Sequence, residues 1–154
     1  MMKTRIDPDS PGFLISTTAR LVRSAFEREI ESAEIGVTAG EARVLAHMSV
    51  CTAMRQHHLA DRLGLAAMSV TGFLDRLETA GLIRRSTDPT DRRAKIVTLT
   101  EEALPILDEI HLAGTRATQA AFAGVTADEF EVFRSVCHKL CRNLEDRSCQ
   151  QVTS

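Results

Sequence analysis

Apolar residues in this chain recur first with the period of a helix. Between Pro11 and Ala33, Leu14, Leu21, Val22, Ala25 and Phe26 fall at helical spacing, with Arg20, Arg23, Arg28 and Glu29 on the polar positions. This predicts a long amphipathic helix with a proline in its first turn. Residues 1–11 show no periodicity and contain "DPDSP", the composition of a loosely ordered arm. Val44, Leu45 and Met48 mark one face of a second helix, from near Ala39 to near Cys51. A short helix over Gln56–Leu63 and another over Ala67–Ala80 follow, with Gly64 between them and Gly81 closing the second.

The period then changes. Leu82–Ser86 and Ala94–Leu99 are short runs with branched apolar residues, joined by the polar "DPTDRRAK", and they predict a β-hairpin. Thr100 begins a further helix, with Glu101 and Glu102 where negative charge suits the helix dipole and Pro105 bending it near its start. In the last helix Phe130, Phe133, Cys137, Leu140 and Leu144 alternate by three and four, the narrow stripe that a helix-to-helix seam requires. Two stretches rhyme, "VTAGE" at Val37–Glu41 and "VTADE" at Val125–Glu129. Each sets a Thr three residues before a Glu, the capping box in which hydroxyl and carboxylate satisfy free amides reciprocally, so helices start near Ala39 and Ala127.

Composition narrows the class. A chain of 154 residues with 44% apolar and 26% charged residues can bury a real core. Aromatics are 4%, with neither Trp nor Tyr, which argues against stacking bases on aromatic platforms. The longest apolar run near the amino terminus is "FLI", too short for a signal core or a membrane span, and a cytoplasmic location is expected. Cys51, Cys137, Cys141 and Cys149 form no CxxC pair, so free thiols are expected rather than a disulfide scaffold.

The net charge of −2 is unevenly spread. From Arg76 to Lys95, Arg76, Arg84, Arg85, Arg92, Arg93 and Lys95 stand against Glu78, Asp88 and Asp91, a surplus of three positive charges that leaves the rest of the chain at −5. Such a local surplus suits an anionic partner.

The stretch "QHHLADRLGLAAMSVTGFLDRLETAGLIRR" gives that surplus a setting. Ala60 is small enough for a second helix to cross closely, Gly64 can take a left-handed turn, and Leu59, Leu63, Val70 and Leu74 supply the wedge between two helices. This is a helix-turn-helix layout, whose second helix offers its first residues to the major groove. With a basic hairpin directly after it, the reading becomes a winged helix-turn-helix.

The segments "EARVLAHM", "LADRLGL", "SVTGFLDRLETAGLIRR", "DPTDRRAKIVTLTEE" and "VTADEF" resemble the MarR family of transcriptional regulators, over about Thr38 to Leu144. The resemblance implies a homodimer held by its first and last two helices, with two winged lobes reading a pseudo-palindromic site on double-stranded DNA. Carried over by position, Met68, Ser69 and Thr71 begin the recognition helix, and Arg76 is the basic residue used on DNA later in it. In the wing, Asp91 buttresses Arg93 as it enters the minor groove, while Arg92 and Lys95 either meet phosphates or stand solvated on the wing. Two features depart from the pattern: Gly72 stands where many members have Arg or Lys, and "AAM" at Ala66–Met68 replaces the usual polar cap. Base readout is then either weaker here or carried by Ser69 and Thr71, with Met68 against thymine methyls. Ala103 stands where a Gly is common.

The resemblance also implies a small, often phenolic, anionic effector, for which Arg20, Arg23, His47 and His111 are the polar candidates. No cofactor or metal is expected: Cys51, His57 and His58, or His47, Asp108 and His111, show no second spaced pair of ligands. An enzyme is not expected either, since no nucleophile and base are singled out. The expected architecture is mainly α with a small β-hairpin wing. It comprises an arm and dimerisation helix over 1–36, a winged helix-turn-helix over 37–100, dimerisation helices over 101–147 and a tail over 148–154. The expected function is a repressor released by its ligand. Two alternatives stay open: a cysteine-based redox regulator using Cys137 or Cys141, and a winged-helix protein-interaction module without DNA binding.

Overall fold

The structure, a computed structural model, describes residues 6–51 and 53–150, with side chains described through residue 145. Most of the arm at 1–5, the side chain of Cys149 and residues 151–154 of the expected tail lie outside the described residues. In chain order the elements are α1 (Pro11–Ala33), α2 (Ala39–Val50), β1 (Ala53–Arg55), α3 (Gln56–Leu63), α4 (Ala67–Thr79), β2 (Ile83–Thr87), β3 (Lys95–Leu99), α5 (Leu104–Ala121) and α6 (Ala127–Gln150). They fall into two units, residues 1–118 and residues 119–154.

Both capping boxes form. In α2 the Glu41 amide donates to Thr38 Oγ1 at 3.2 Å and the Thr38 amide donates to Glu41 Oε2 at 3.0 Å. At α6 the Thr126 amide donates to Glu129 Oε2 at 2.8 Å and the Glu129 amide to Thr126 Oγ1 at 3.2 Å. Each helix therefore starts where its Thr and Glu dictate, because two otherwise unsatisfied donors find acceptors there.

The core of the first unit is the wedge the spacing predicted. Leu59, Leu63, Val70 and Leu74 are buried together with Val44, Leu45 and Met48 of α2 and with Ile83 and Val97 of the sheet. Between α3 and α4, Gly64 takes φ 62° and ψ 34° and its amide closes on Asp61 O at 3.2 Å, a left-handed corner that a Cβ would strain. Only the last part of α1 joins this core, through Ile30 and the partly buried Phe26.

The expected hairpin forms from β2 and β3, and one expectation, the start of α5, needs correction. The hairpin is part of a three-stranded antiparallel sheet ordered β1-β3-β2, with Ala53 opposite Thr98 and Arg55 opposite Ile96. The sequence "AMR" is too short to show any alternation, and β3 recruits it through backbone hydrogen bonds. The region after Thr100 begins not as an α-helix but as a 3-10 turn over Glu101–Ala103, and α5 starts at Leu104. Pro105 has no amide to donate to Glu101 O, so the carbonyl is taken instead by the Leu104 amide in a tighter turn.

In the second unit the ring of Phe122 stands edge-on to Phe130 at 4.9 Å and to Phe133 at 5.5 Å between centroids. Among the described residues no helix is long and apolar enough to cross a membrane.

Candidate nucleic-acid interface

The helix α4 offers one face to solvent. Met68 is 88% exposed and Ser69 is exposed beside it, while Val70, Leu74 and Leu77 on the opposite side are buried. No side chain caps α4 at Ala66, so its first amides are left to solvent or to a ligand. Thr71 is half-buried; its hydroxyl donates to Ala67 O and accepts from Gln56 Nε2, both at 3.0 Å. That bond ties the start of α3 to the start of α4.

Arg76 is held from behind. Its Nε donates to Glu41 Oε1 at 2.6 Å, while Glu41, only 6% exposed, uses its other oxygen to cap α2. The Arg76 guanidinium also lies 5.4 Å from the Phe73 ring centroid. Phe73 can take this place because Gly40 has no side chain: a Cβ there would collide with the Phe73 ring. Arg76 is thus a cation already paired on one edge, with 58% of its side chain still exposed.

Arg85 is removed from the pool of free cations. It bonds Asp75 Oδ1 at 2.7 Å and Glu78 Oε2 at 3.1 Å. The Glu78 bond, then that of Asp75, pushes the Arg85 pKa up, and Arg85 in turn holds Glu78 below the usual carboxylate range. These bonds fasten the end of α4 to β2.

The wing turn is organised by its acids. Asp88 is 4% exposed; its Oδ1 accepts the Thr90 amide at 2.8 Å and the Thr90 hydroxyl at 2.7 Å, and its Oδ2 pairs with Arg55 Nη2 at 2.6 Å. The Thr90 amide first, then its hydroxyl and the Arg55 charge, hold the Asp88 carboxyl below its ordinary range against the opposing effect of burial. Asp91 does not pair with the guanidinium of Arg93. Its Oδ1 accepts the Arg93 backbone amide at 3.0 Å, so it shapes the turn rather than gripping the side chain. Lys95 Nζ donates to Thr87 Oγ1 at 3.1 Å. Arg92 and Arg93 are exposed, and among the described residues neither guanidinium has a partner. Arg93 and Lys95 line a cleft with Gln56, His57 and Ala67, where the wing meets the starts of α3 and α4.

Folding lowers the pKa of both Asp88 and Glu78, so the stabilisation they give is complete above their unfolded values and is lost as pH falls through the lower native ones. The thermal midpoint should accordingly fall on acidification below about pH 4. A midpoint equal at about pH 3 and about pH 6 would show these carboxylates to be unpaired.

Gly72 faces open space, since a Cβ there would meet only Arg76 Nη1 at 3.7 Å, an ordinary contact. Gly72→Ala should therefore stabilise the fold by about 0.5–1 kcal/mol through helix propensity alone, read as a higher urea midpoint. A loss of stability would mean that this face is covered.

Of the four residues expected around an effector, Arg20 and Arg23 are exposed on α1, His47 is exposed in the last turn of α2 and His111 is exposed on α5. Among the described residues no hydrogen bond or ion pair joins any two of them. The spacing missed Arg43, whose Nη2 donates to Leu63 O at 3.0 Å. Burial lowers the Arg43 pKa, as does the nearby charge of Arg23, with Glu27 opposing. Glu41 and Arg55 were missed as well: each pairs with a residue more than thirty positions away, beyond any periodicity.

Residues 37–95, from the first capping box to the end of the wing turn, match the model of the MarR family. Over these residues the chain is similar to the MarR family. Its fold is that of solved MarR family structures. A MarR family transcriptional regulator from Rhodococcus sp. RHA1 is 25% identical with a TM-score of 0.75, over 89% of this chain and 96% of that one. A mutant E. coli MarR complexed with operator DNA is 24% identical with a TM-score of 0.66, over 84% and 91%. Bordetella bronchiseptica BpsR, described with 6-hydroxynicotinic acid as a regulator of its DNA binding, is 22% identical with a TM-score of 0.70, over 90% and 98%.

Proposed function

We propose that this chain is a homodimeric transcriptional regulator that binds a pseudo-palindromic site on double-stranded DNA and releases it on binding a small anionic ligand. The observation that carries the reading is the pairing of an exposed, uncapped recognition-helix start with two unpartnered wing guanidiniums, Arg92 and Arg93, in one MarR family domain. In this reading Met68, Ser69, Thr71 and Gly72 face the major groove. Arg93 enters the minor groove, where it gains from the focused negative potential, and Arg92 and Lys95 meet phosphates. Arg76 takes part through the edge that Glu41 leaves free. The solved relatives support it by analogy, one with operator DNA and one with a small aromatic acid.

Dimerisation is supported by apolar surface that a single chain leaves uncovered. Phe13, Leu14, Ile15, Leu21 and Val22 are each at least 40% exposed on α1, and Val132, Phe133, Val136 and Leu140 likewise on α6. For the ligand, Arg43 beside Arg23 adds a third guanidinium to the expected set, an arrangement able to hold a carboxylate.

The test is retention of the protein's own upstream DNA. Purified dimer should shift such a fragment at low salt, with an affinity that falls steeply as salt rises because phosphates are neutralised. Failure to bind any such fragment at low salt would remove the reading. One observation favours a second one: two of the six local cations, Arg76 and Arg85, are already paired with acids, as a protein-interaction module without DNA would tolerate.

A further inference from the structure

We propose that Arg55, Asp88 and Thr90 form a latch that positions the wing, and that Arg55 governs DNA affinity by placing Arg93 without itself holding a phosphate. The inference rests on the DNA-binding reading above.

Asp88 and Glu41 are the two buried charged residues among those described. Glu41 backs the recognition helix through Arg76, and Asp88 does the corresponding work for the wing. Arg55 is the last residue of β1 and leads directly into α3, yet its guanidinium reaches the wing turn, at 2.6 Å from Asp88 Oδ2 and 3.1 Å from Thr90 Oγ1. The Asp88 side chain in turn receives both the amide and the hydroxyl of Thr90, and the Asp88 amide donates to Ala94 O at 3.0 Å. The three side chains therefore join the strand that enters the helix-turn-helix to the loop that carries Arg93. Arg55 has spent its charge within the protein and its side chain is only 35% exposed, whereas the Arg93 guanidinium is exposed and unpartnered. Removing Arg55 leaves a buried carboxylate without its cation, which favours opening of the turn. The wing then keeps Arg93 but samples positions that do not fit the groove.

The experiment is a double-mutant cycle on the full-length protein, with Arg55→Ala, Arg93→Ala and the pair, measured as DNA affinity over a range of salt, beside amide hydrogen exchange on the free protein. The latch predicts that Arg55→Ala weakens binding about tenfold, as expected within one coupled network, and lowers the salt slope by no more than Arg93→Ala does. It should have no further effect in the Arg93→Ala background. Exchange should quicken at Thr90 and Ala94 while the amides of Val44 and Leu45 stay protected. Arg55→Lys should recover part of the affinity, and Thr90→Val, which keeps the ion pair and is far less prone to misfold, should show the same pattern more weakly. Multiplying effects of Arg55→Ala and Arg93→Ala, with the salt slope of the double variant lower by about one than that of Arg93→Ala alone, would make Arg55 a phosphate contact and overturn the latch. So would unchanged exchange in the wing. If the unsubstituted protein binds no DNA, the DNA-binding reading fails, and the exchange result alone decides whether the latch exists.

Discussion

Leu74→Ala is expected to lower the unfolding free energy by about 2–5 kcal/mol, read from urea or guanidinium titration. Leu74 has no solvent-exposed surface and belongs to the core shared by α2, α3 and α4. Removing three methylene-sized groups there loses their transfer free energy and leaves a cavity, because neighbours held in helices relax only in part. The internal control lies on another side of the helix: Ser69→Ala, on the exposed face of α4, should change stability by no more than about 0.5 kcal/mol. If the two substitutions cost the same, α4 is rotated from the orientation described, and the recognition face assigned to Met68, Ser69 and Gly72 goes with it. The measurement therefore bears on function as well as on packing.

That orientation was legible in the sequence because a wedge of Leu59, Leu63, Val70 and Leu74 admits few arrangements around a glycine corner. Boundaries set by local chemistry were also legible. Thr38 with Glu41, and Thr126 with Glu129, fixed two helix starts through bonds made within four residues. Contacts that depend on the fold were not. Nothing near Arg76 in the sequence announces that its Nε is taken by Glu41, or that Phe73 rests where Gly40 lacks a Cβ. The role given to Asp91 shows the same limit in reverse. The resemblance set its side chain against that of Arg93, but at two residues' separation the carboxylate reaches the backbone amide more readily, and a turn is what results. Strand β1 escaped notice because three residues carry no period, and its pairing is a property of β3's free edge.

Counting cations in the sequence overstated what is available to a partner. Arg85 is bound by two acids, Arg76 by one, and Lys95 donates to a neighbouring hydroxyl. This sharpens the second large expectation: Arg93→Ala should weaken DNA binding by about 1–3 kcal/mol, with the apparent salt slope reduced by up to about one. Arg85→Ala serves as the contrast. It removes the same formal charge, but one neutralised within the protein, so its effect on affinity should be smaller and should come with a loss of stability from the two acids left unpaired. A phosphate contact and a groove contact differ further in sequence dependence. An arginine drawn by a narrow minor groove should lose more affinity on A·T-rich flanks than on G·C-rich ones, whereas a phosphate contact should lose the same on both. Should Arg93→Ala leave DNA affinity untouched while Arg85→Ala abolishes it, the wing turn would not be the reading element, and recognition would fall to the exposed face of α4 that Arg85 fastens to β2.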